Sequence, residues 1–153
     1  MFFKKKIKTI DTELNELSQL LFLDQEGSFP KQKVLISIPN DNSIDSLKLI
    51  DDYLESIREE NELEEIYNSL VLRLGAYVGE VIKSNSKKDY HWYDFKTAKK
   101  LQPSIKDWEE QIGTAAILHS TETGEMTFPI NKVCKFIDNG SVDSLYSYAK
   151  IMI

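Results

Sequence analysis

The feature that most constrains the fold is a long apolar segment between Leu63 and Lys83 with the period of a helix. Apolar residues recur at three- and four-residue spacing, and further apolar residues lie off this stripe, which predicts a central helix covered on more than one side. Gly75, Ala76 and Gly79 form a small-residue face on this helix. Because each interior glycine costs a helix about 1 kcal/mol relative to alanine, we expect another part of the chain to approach this face closely.

The same helix carries a lone carboxylate, Glu80, within its apolar run. A carboxylate removed from water needs hydrogen-bond donors or a proton. Two roles are open for it. The one we favour is a structural acceptor that fixes how the helix meets the rest of the fold, and the other is a functional carboxylate whose pKa, raised by apolar neighbours, suits a general base.

The residues before this segment predict two helices and one short strand. A helix is expected to begin near Asp11, whose carboxylate can cap the free backbone N–H groups of the first turn. Alternating apolar and polar residues predict a strand at Val34–Ile38. Asn42 or Ser43 is expected to cap a second helix, with apolar residues at helical spacing as far as Ile57.

The residues after the central segment predict a small sheet. Tyr90–Phe95 is rich in aromatic residues, which favours a strand. Two further strands, within residues 112–118 and 125–129, flank a polar turn in which Gly124 suits a positive φ. Residues 96–111 have no firm period and are expected to be irregular or weakly helical.

Two short helices are expected to close the chain. The first begins at Pro129 or Ile130 and stops at Asn139-Gly140, which is a typical helix end. Ser141 is expected to cap the second helix.

The chain is expected to form one domain. Its 153 residues fit a single hydrophobic core, and no internal repeat or linker divides them. We predict a helix-rich α+β single domain over residues 11–153, with a small antiparallel sheet packed on the central helix. Residues 1–10 are expected to be a mobile basic N-terminus.

Composition excludes several classes of partner and site. The formal net charge of -6 argues against nucleic acid, which usually binds a basic face. No segment has the roughly 20 apolar residues of a membrane span, and the N-terminus lacks the apolar region of an export signal. A single cysteine, Cys134, allows no internal disulfide and is typical of a reducing compartment. We therefore expect a cytoplasmic protein.

The sequence contains no motif of a known catalytic or cofactor site. There is no nucleophile elbow and no phosphate-binding glycine loop, and Cys134 is best explained as a small residue at the edge of the core. His91 and His119 together with Glu80, Asp94 or Glu122 are metal-ligand types at no recognised spacing. We expect neither a metal nor a cofactor.

The aromatic strand is a candidate partner-binding element. Alternation places Tyr90 and Trp92 on one side of the strand and His91, Tyr93 and Phe95 on the other. One side is expected to join the core, and the other to be a surface on which aromatic rings anchor a partner. The candidate partner-binding residues are Tyr90, His91, Trp92, Tyr93, His119 and Glu122.

A second candidate surface is acidic. Residues 51–65 hold eight acidic residues and one basic residue, Arg58. The simpler explanation is the solvated face of two helices. The alternative is a negative surface that steers a basic partner.

A set of residues in the second half of the chain resembles a group of small uncharacterised bacterial proteins. The matching residues are Gly75, Ala76, Tyr77, Gly79, Glu80, Val81, Trp92, Pro129, Lys132, Val133, Asn139, Gly140, Asp143, Ser144 and Leu145. The resemblance implies a compact α+β domain without an established activity, and accessory or immunity-like roles in some relatives. These proteins often carry Gly-Gly shortly before the tryptophan, where this chain has Asp89, Tyr90 and His91.

Two functions follow from these observations. The first is a non-catalytic protein-interaction or accessory protein, with an immunity-like role as one form, whose partner is another protein. The alternative is a small enzyme or ligand-binding domain that uses Glu80 with His91 or His119. The alternative predicts a concave site where these side chains converge.

Overall fold

A computed structural model describes residues 7–23 and 29–153. The predicted mobile N-terminus therefore lies mostly outside the described residues. The end of the first helix, which Gly27 and Pro30 predict to fall within residues 24–29, also lies mostly outside them. Within the described part, the Ile10 backbone N–H donates to the Trp92 carbonyl oxygen at 2.8 Å. The chain is thus joined to the sheet one residue before the first helix begins.

The described chain forms seven α-helices, a three-stranded sheet and three single turns of 3-10 helix. The helices are α1 (Asp11–Leu23), α2 (Gln32–Ile36), α3 (Ser46–Ile57), α4 (Leu63–Asn85), α5 (Phe95–Leu101), α6 (Pro129–Asn139) and α7 (Leu145–Met152). The strands are β1 (Tyr90–Asp94), β2 (Ala116–Ser120) and β3 (Met126–Thr127), and the 3-10 turns are Pro103–Ile105, Ile112–Thr114 and Ser141–Asp143. The helix-rich α+β class predicted from the sequence is confirmed.

Helix α4 is the centre of the fold, because α1, α6 and α7 all pack against it. Its two glycines lie where neighbours come closest. A Cβ atom placed on Gly75 would be 2.6 Å from the Ile130 Cα of α6, and one placed on Gly79 would be 2.5 Å from Cη2 of Trp92 in β1. Any larger residue at either position would push α6 or the sheet away from the helix.

The sheet is antiparallel with the order β1-β2-β3. Trp92 lies opposite Leu118, and His91 lies opposite His119. Since side chains alternate along a strand, the sheet has two buried faces: Trp92 and Leu118 join the main core with α4, whereas Tyr93 and others join a second, smaller core. The second core consists of Tyr93, Phe95, Ala98, Ile105 and Ile117.

The strand predicted at Val34–Ile38 is wrong, because these residues form most of the short helix α2. Lys31, with φ of 50°, turns the chain, and its carbonyl accepts from the N–H groups of Val34 and Leu35. Leu35 and Ile38, three residues apart, are buried. Val34 and Ile36, which the predicted strand would place on one buried face, are exposed. A five-residue helix is too short for its period to be distinguished from that of a strand.

Local hydrogen bonds also change three predictions in the C-terminal half. Residues 95–101 form a regular helix because Asp94 accepts from the Thr97 N–H at 2.8 Å and caps it. The first hairpin strand begins at Ala116, since residues 112–114 form a 3-10 turn. Ser144, not Ser141, caps α7 by accepting from the Ser147 N–H at 3.2 Å.

Candidate functional site

Glu80 is 6% exposed and has hydrogen-bond donors at both carboxylate oxygens. Asn15 Nδ2 of α1 donates to Oε1 at 2.8 Å, and Trp92 Nε1 of β1 donates to Oε2 at 3.1 Å. Lys83 Nζ lies 3.6 Å from Oε2. The carboxylate therefore joins α4 to both α1 and the sheet, and satisfied acceptors of this kind specify how elements pack.

A second carboxylate, Asp11, lies beside this group and joins the same three elements. Asp11 Oδ1 accepts from Lys83 Nζ at 2.9 Å and from the Trp92 backbone N–H at 2.8 Å. Burial favours a raised pKa for Asp11, but the hydrogen bonds from Trp92, His91 and Lys83 outweigh it and lower the pKa below its ordinary value. Asp11 was predicted to cap α1. Its carboxylate instead binds Lys83, His91 and the Trp92 N–H, which all lie outside α1.

His91 completes this polar network at the surface. Its Nδ1 lies 2.7 Å from Asp11 Oδ2, and its side chain is 46% exposed. In the neutral ring, an Nδ1 that donates to a carboxylate leaves Nε2 as the basic nitrogen. His91 is therefore an imidazole oriented by a carboxylate, and Asp11 and Lys83 lie between it and Glu80.

His119 lies on the other face of the sheet from Glu80. It is 4% exposed, its ring packs edge-on against Tyr93 at 6.1 Å between centroids, and neither ring nitrogen has a hydrogen-bond partner among the described residues. Burial lowers the pKa of His119, against a smaller opposing effect of the Asp89 charge. His119 is thus the cross-strand neighbour of His91, but among the described residues no hydrogen bond joins it to the Glu80 network.

The candidate partner-binding residues of β1 are mostly interior. Tyr90, Trp92 and Tyr93 are 3%, 0% and 3% exposed. The expectation of an open aromatic face is wrong, because α4 covers one side of the sheet and the second core covers the other. Of the six candidates, His91 and Glu122 are exposed, the latter in the β2–β3 turn, where its N–H donates to Asp89 Oδ1 at 3.3 Å.

The acidic run divides into structural and exposed members. Asp51 accepts from Ser144 Oγ at 2.6 Å and the Leu145 N–H at 2.8 Å, which holds the start of α7 against α3. Arg58 donates to the Ile137 carbonyl of α6 at 3.1 Å. The exposed members, which we call the acidic face, are Asp52, Glu55, Glu59, Glu62, Glu64 and Glu65.

A cleft of about 370 Å³ adjoins the acidic face. Its lining residues are Arg58, Leu63, Glu64, Glu65, Tyr67, Asn68 and Ile137. The cleft thus combines apolar side chains from α4 and α6 with two carboxylates of the acidic face.

A larger cleft, of about 470 Å³, lies between residues 108–114 and α6, and the sequence interpretation did not anticipate it. We call it the Trp108 cleft; it is lined by Trp108, Glu109, Gln111, Thr114, Phe128, Asn131 and Lys135. Its residues lie in a segment without a period and on the outward side of α6. The one feature of the sequence that pointed to this cleft is Trp108, a large aromatic residue within a polar segment.

Two classes of site lack support within the described ranges. Residues 7–23 and 29–153 contain no group of three or more histidine, cysteine, aspartate or glutamate side chains placed to hold a metal ion. No helix in these ranges is both long enough and apolar enough to cross a membrane.

Comparisons with protein-family models, curated proteins and solved structures found no match for this chain. The architecture itself defines the class, a helix-rich α+β domain with a three-stranded antiparallel sheet. Membership of the bacterial group that the sequence resembles stays a prediction.

Proposed function

We propose that this protein is a non-catalytic interaction protein that binds a basic surface of another protein through the acidic face. The observation that carries the proposal is the grouping of six exposed carboxylates where α3 ends and α4 begins. Like charges that are held together repel each other, and a basic partner would relieve this repulsion.

The acidic face is distinct from the carboxylates that hold the fold together. Asp51 is hydrogen-bonded to α7, whereas Glu55 is the single member of the acidic face with an ion pair among the described residues, to Arg58 Nε at 3.3 Å. Exposed charges of one sign accelerate the encounter with an oppositely charged protein, and salt weakens this effect.

The cleft beside the acidic face adds apolar surface, which a charged surface alone does not provide. Leu63, Tyr67 and Ile137 line it with apolar surface, and Glu64 and Glu65 lie at the same place. Stable interfaces combine an apolar centre with a polar rim. A partner that presents a large apolar side chain next to lysine or arginine residues fits this arrangement.

The enzyme alternative has less support, because its residues do not converge. Both oxygens of Glu80 are engaged by Asn15 and Trp92. His119 is paired with His91 but lies on the face of the sheet opposite Glu80. One observation favours a second function: Asp11 Oδ2 lies 2.7 Å from His91 Nδ1 and orients an exposed imidazole. Such a pair can act as a general base if a substrate binds beside it.

The immunity-like role implied by the resemblance is one form of the proposed function. An immunity-like protein acts by binding and blocking another protein, so the complex would lack the partner's own activity. This form adds no requirement for turnover or for a metal.

The proposal is tested with a fluorescently labelled lysine-rich dodecapeptide and two charge-matched double variants. Glu59→Lys with Glu62→Lys reverses charge on the acidic face, and Glu13→Lys with Glu16→Lys makes the same change on the exposed side of α1. We expect the first pair to weaken binding about tenfold and the second to have a small effect. Equal losses from both pairs would show attraction to net charge alone and contradict the assigned surface.

The same variants are then used to recover the partner from the source cells. We expect wild-type protein and the α1 double variant to capture the same basic protein, and the acidic-face double variant to lose it. Capture that survives reversal of the acidic face would contradict the proposal. A His91→Gln variant distinguishes the enzyme alternative from the interaction protein. Loss of a measured turnover without loss of stability in this variant would favour the enzyme.

A further inference from the structure

His119 is a buried histidine whose surroundings suit only the neutral ring. It is 4% exposed, and neither ring nitrogen has a hydrogen-bond partner among the described residues. Buried polar side chains are ordinarily hydrogen-bonded, so an exception calls for a physical reason. Protonation of this ring would place a positive charge and two N–H donors in an apolar site, which costs free energy unless acceptors are present.

The second core covers the face of the sheet on which His119 lies. His119 shares this face of β2 with Ile117, and its ring packs edge-on against that of Tyr93. The other buried members of the second core all come from residues 95–105, and they are Phe95, Ala98 and Ile105. The cover over this face is therefore one continuous segment, made of α5 and the 3-10 turn that follows it.

The charged groups around His119 are already bound or are themselves cations. Asp89 acts on the ring electrostatically, but its oxygens accept from Ser120 Oγ and from Thr121 Oγ1 at 3.0 Å. The cross-strand neighbour His91 is bound to a carboxylate of α1. The other titratable groups of this face and of α5 are Tyr93, Lys96, Lys99 and Lys100. A protonated His119 would thus lack an acceptor as long as the second core stays in place.

Residues 95–105 can leave the sheet without disrupting the main core. The main core lies on the other face of the sheet and includes none of these residues. The segment begins at the cap that Asp94 provides for α5. Beyond its other end, residues 106–111 are exposed and form neither helix nor strand.

We propose that protonation of His119 releases residues 95–105 from the sheet, so that mildly acidic pH opens the second core while the main core stays folded. In the open form the N–H groups of the imidazolium reach water, and the ring of Tyr93 becomes accessible. Local openings cost less free energy than global unfolding. The proton shifts the population toward the form that binds it more tightly. His119 thus makes access to the aromatic face of β1 depend on pH.

The test is native-state hydrogen exchange at about pH 7.5 and about pH 5.5, with and without about 1 M urea. Protection factors, which correct for the intrinsic effect of pH on exchange, are compared for α5 and for residues 70–82 of α4. The exposed imidazole of the open form has a pKa of about 6.5, so we expect α5 protection to fall up to about tenfold on acidification. Urea should change α5 protection little and α4 protection strongly, because a local opening exposes less surface than global unfolding.

Two substitutions of His119 test whether its proton is responsible. His119→Leu and His119→Gln both remove the titration, one with an apolar and the other with a polar side chain. We expect α5 protection in both variants to agree within about twofold at the two pH values. Phe95→Ala is the control for a weakened second core: it should lower α5 protection at both pH values and keep the pH dependence, because His119 is retained. Circular dichroism verifies that each variant is folded.

Three outcomes would overturn the inference. The first is α5 protection that does not depend on pH in the wild-type protein. The second is a pH dependence that persists in both His119 variants, which would assign the proton uptake to His91 or another group. The third is equal protection and equal urea dependence of α5 and α4, which would show that the opening is global.

Discussion

Trp92 donates its indole N–H to Glu80 Oε2 at 3.1 Å, and the same ring occupies the space left open by Gly79 one residue earlier on α4. The glycine and the carboxylate, both unusual within an apolar helix, thus serve one contact. The glycine lets the ring approach the helix, and the carboxylate satisfies its N–H. This contact joins the sheet to the central helix.

Replacing Glu80 by glutamine should destabilise the protein. The Gln side chain has one carbonyl oxygen, so either Asn15 or Trp92 would face an amide N–H in place of an acceptor. We expect a loss of about 1–3 kcal/mol in the free energy of unfolding, measured by urea denaturation. Glu13→Gln on the exposed side of α1 is the control, and equal stability of both variants would contradict a structural role.

Gly79→Ala distinguishes close approach from helix propensity by the sign of its effect. In an open helix the change stabilises by about 1 kcal/mol, but here the new Cβ would overlap the Trp92 ring. We expect destabilisation by about 1–3 kcal/mol and a shift in the emission of Trp92. A stabilised Gly79→Ala protein would show that the ring moves away freely; Ser69→Ala, at an exposed α4 position, is the control.

His119 should make stability depend on pH in the mildly acidic range. Burial lowers its folded-state pKa below the unfolded value of about 6.5, so the unfolded chain binds the proton first as the pH falls. The stability that the neutral ring allows is present in full above about pH 6.5 and decreases, by at most about 1.4 kcal/mol per pH unit, toward the folded-state pKa.

This dependence is measured by urea denaturation between neutral pH and pH 5. His119→Leu should flatten the curve, because it removes the buried ring whose pKa differs between the folded and unfolded chains. The pKa of Asp11 is lowered below its ordinary value of 3.8, so its stabilising contribution is lost only at more acidic pH, as the pH falls through the folded-state pKa. An unchanged slope in His119→Leu would assign the proton uptake to another group.

Asp51→Asn should loosen α7. The carboxylate accepts from Ser144 Oγ and from the backbone N–H groups of Leu145 and Tyr146, and an amide retains one acceptor for these three donors. We expect a loss of about 1–3 kcal/mol in the free energy of unfolding, with faster hydrogen exchange in α7. The exposed neighbour Asp52→Asn should change stability little, and parity between the two variants would count against this anchor.

Hydrogen-bonding partners distant in sequence account for the differences at the candidate site, whereas local hydrogen bonds account for those in α2, α5 and the cap of α7. Asp11 has the position of a helix cap, yet it binds His91 and Lys83, which are 80 and 72 residues away. Nothing in the local pattern around Asp11 distinguishes the two roles. The Trp108 cleft was not predicted because its two walls, α6 and residues 108–114, are separate segments of the chain that only the fold brings together.

The amino-acid pattern alone predicts the helix-rich α+β class, the long central helix, the apolar face of α3 and the bounds of α6, because apolar residues repeat at helical spacing in each helix. The start of α3 differs, since residues 44–45 form a turn before Ser46. The pattern also predicts that another part of the chain approaches Gly79 closely and that Glu80 needs hydrogen-bond donors. Which side chains are covered from solvent depends on tertiary contacts. Both faces of β1 are buried because segments far along the chain pack on each of them, so Tyr93 is interior and Trp108 is exposed.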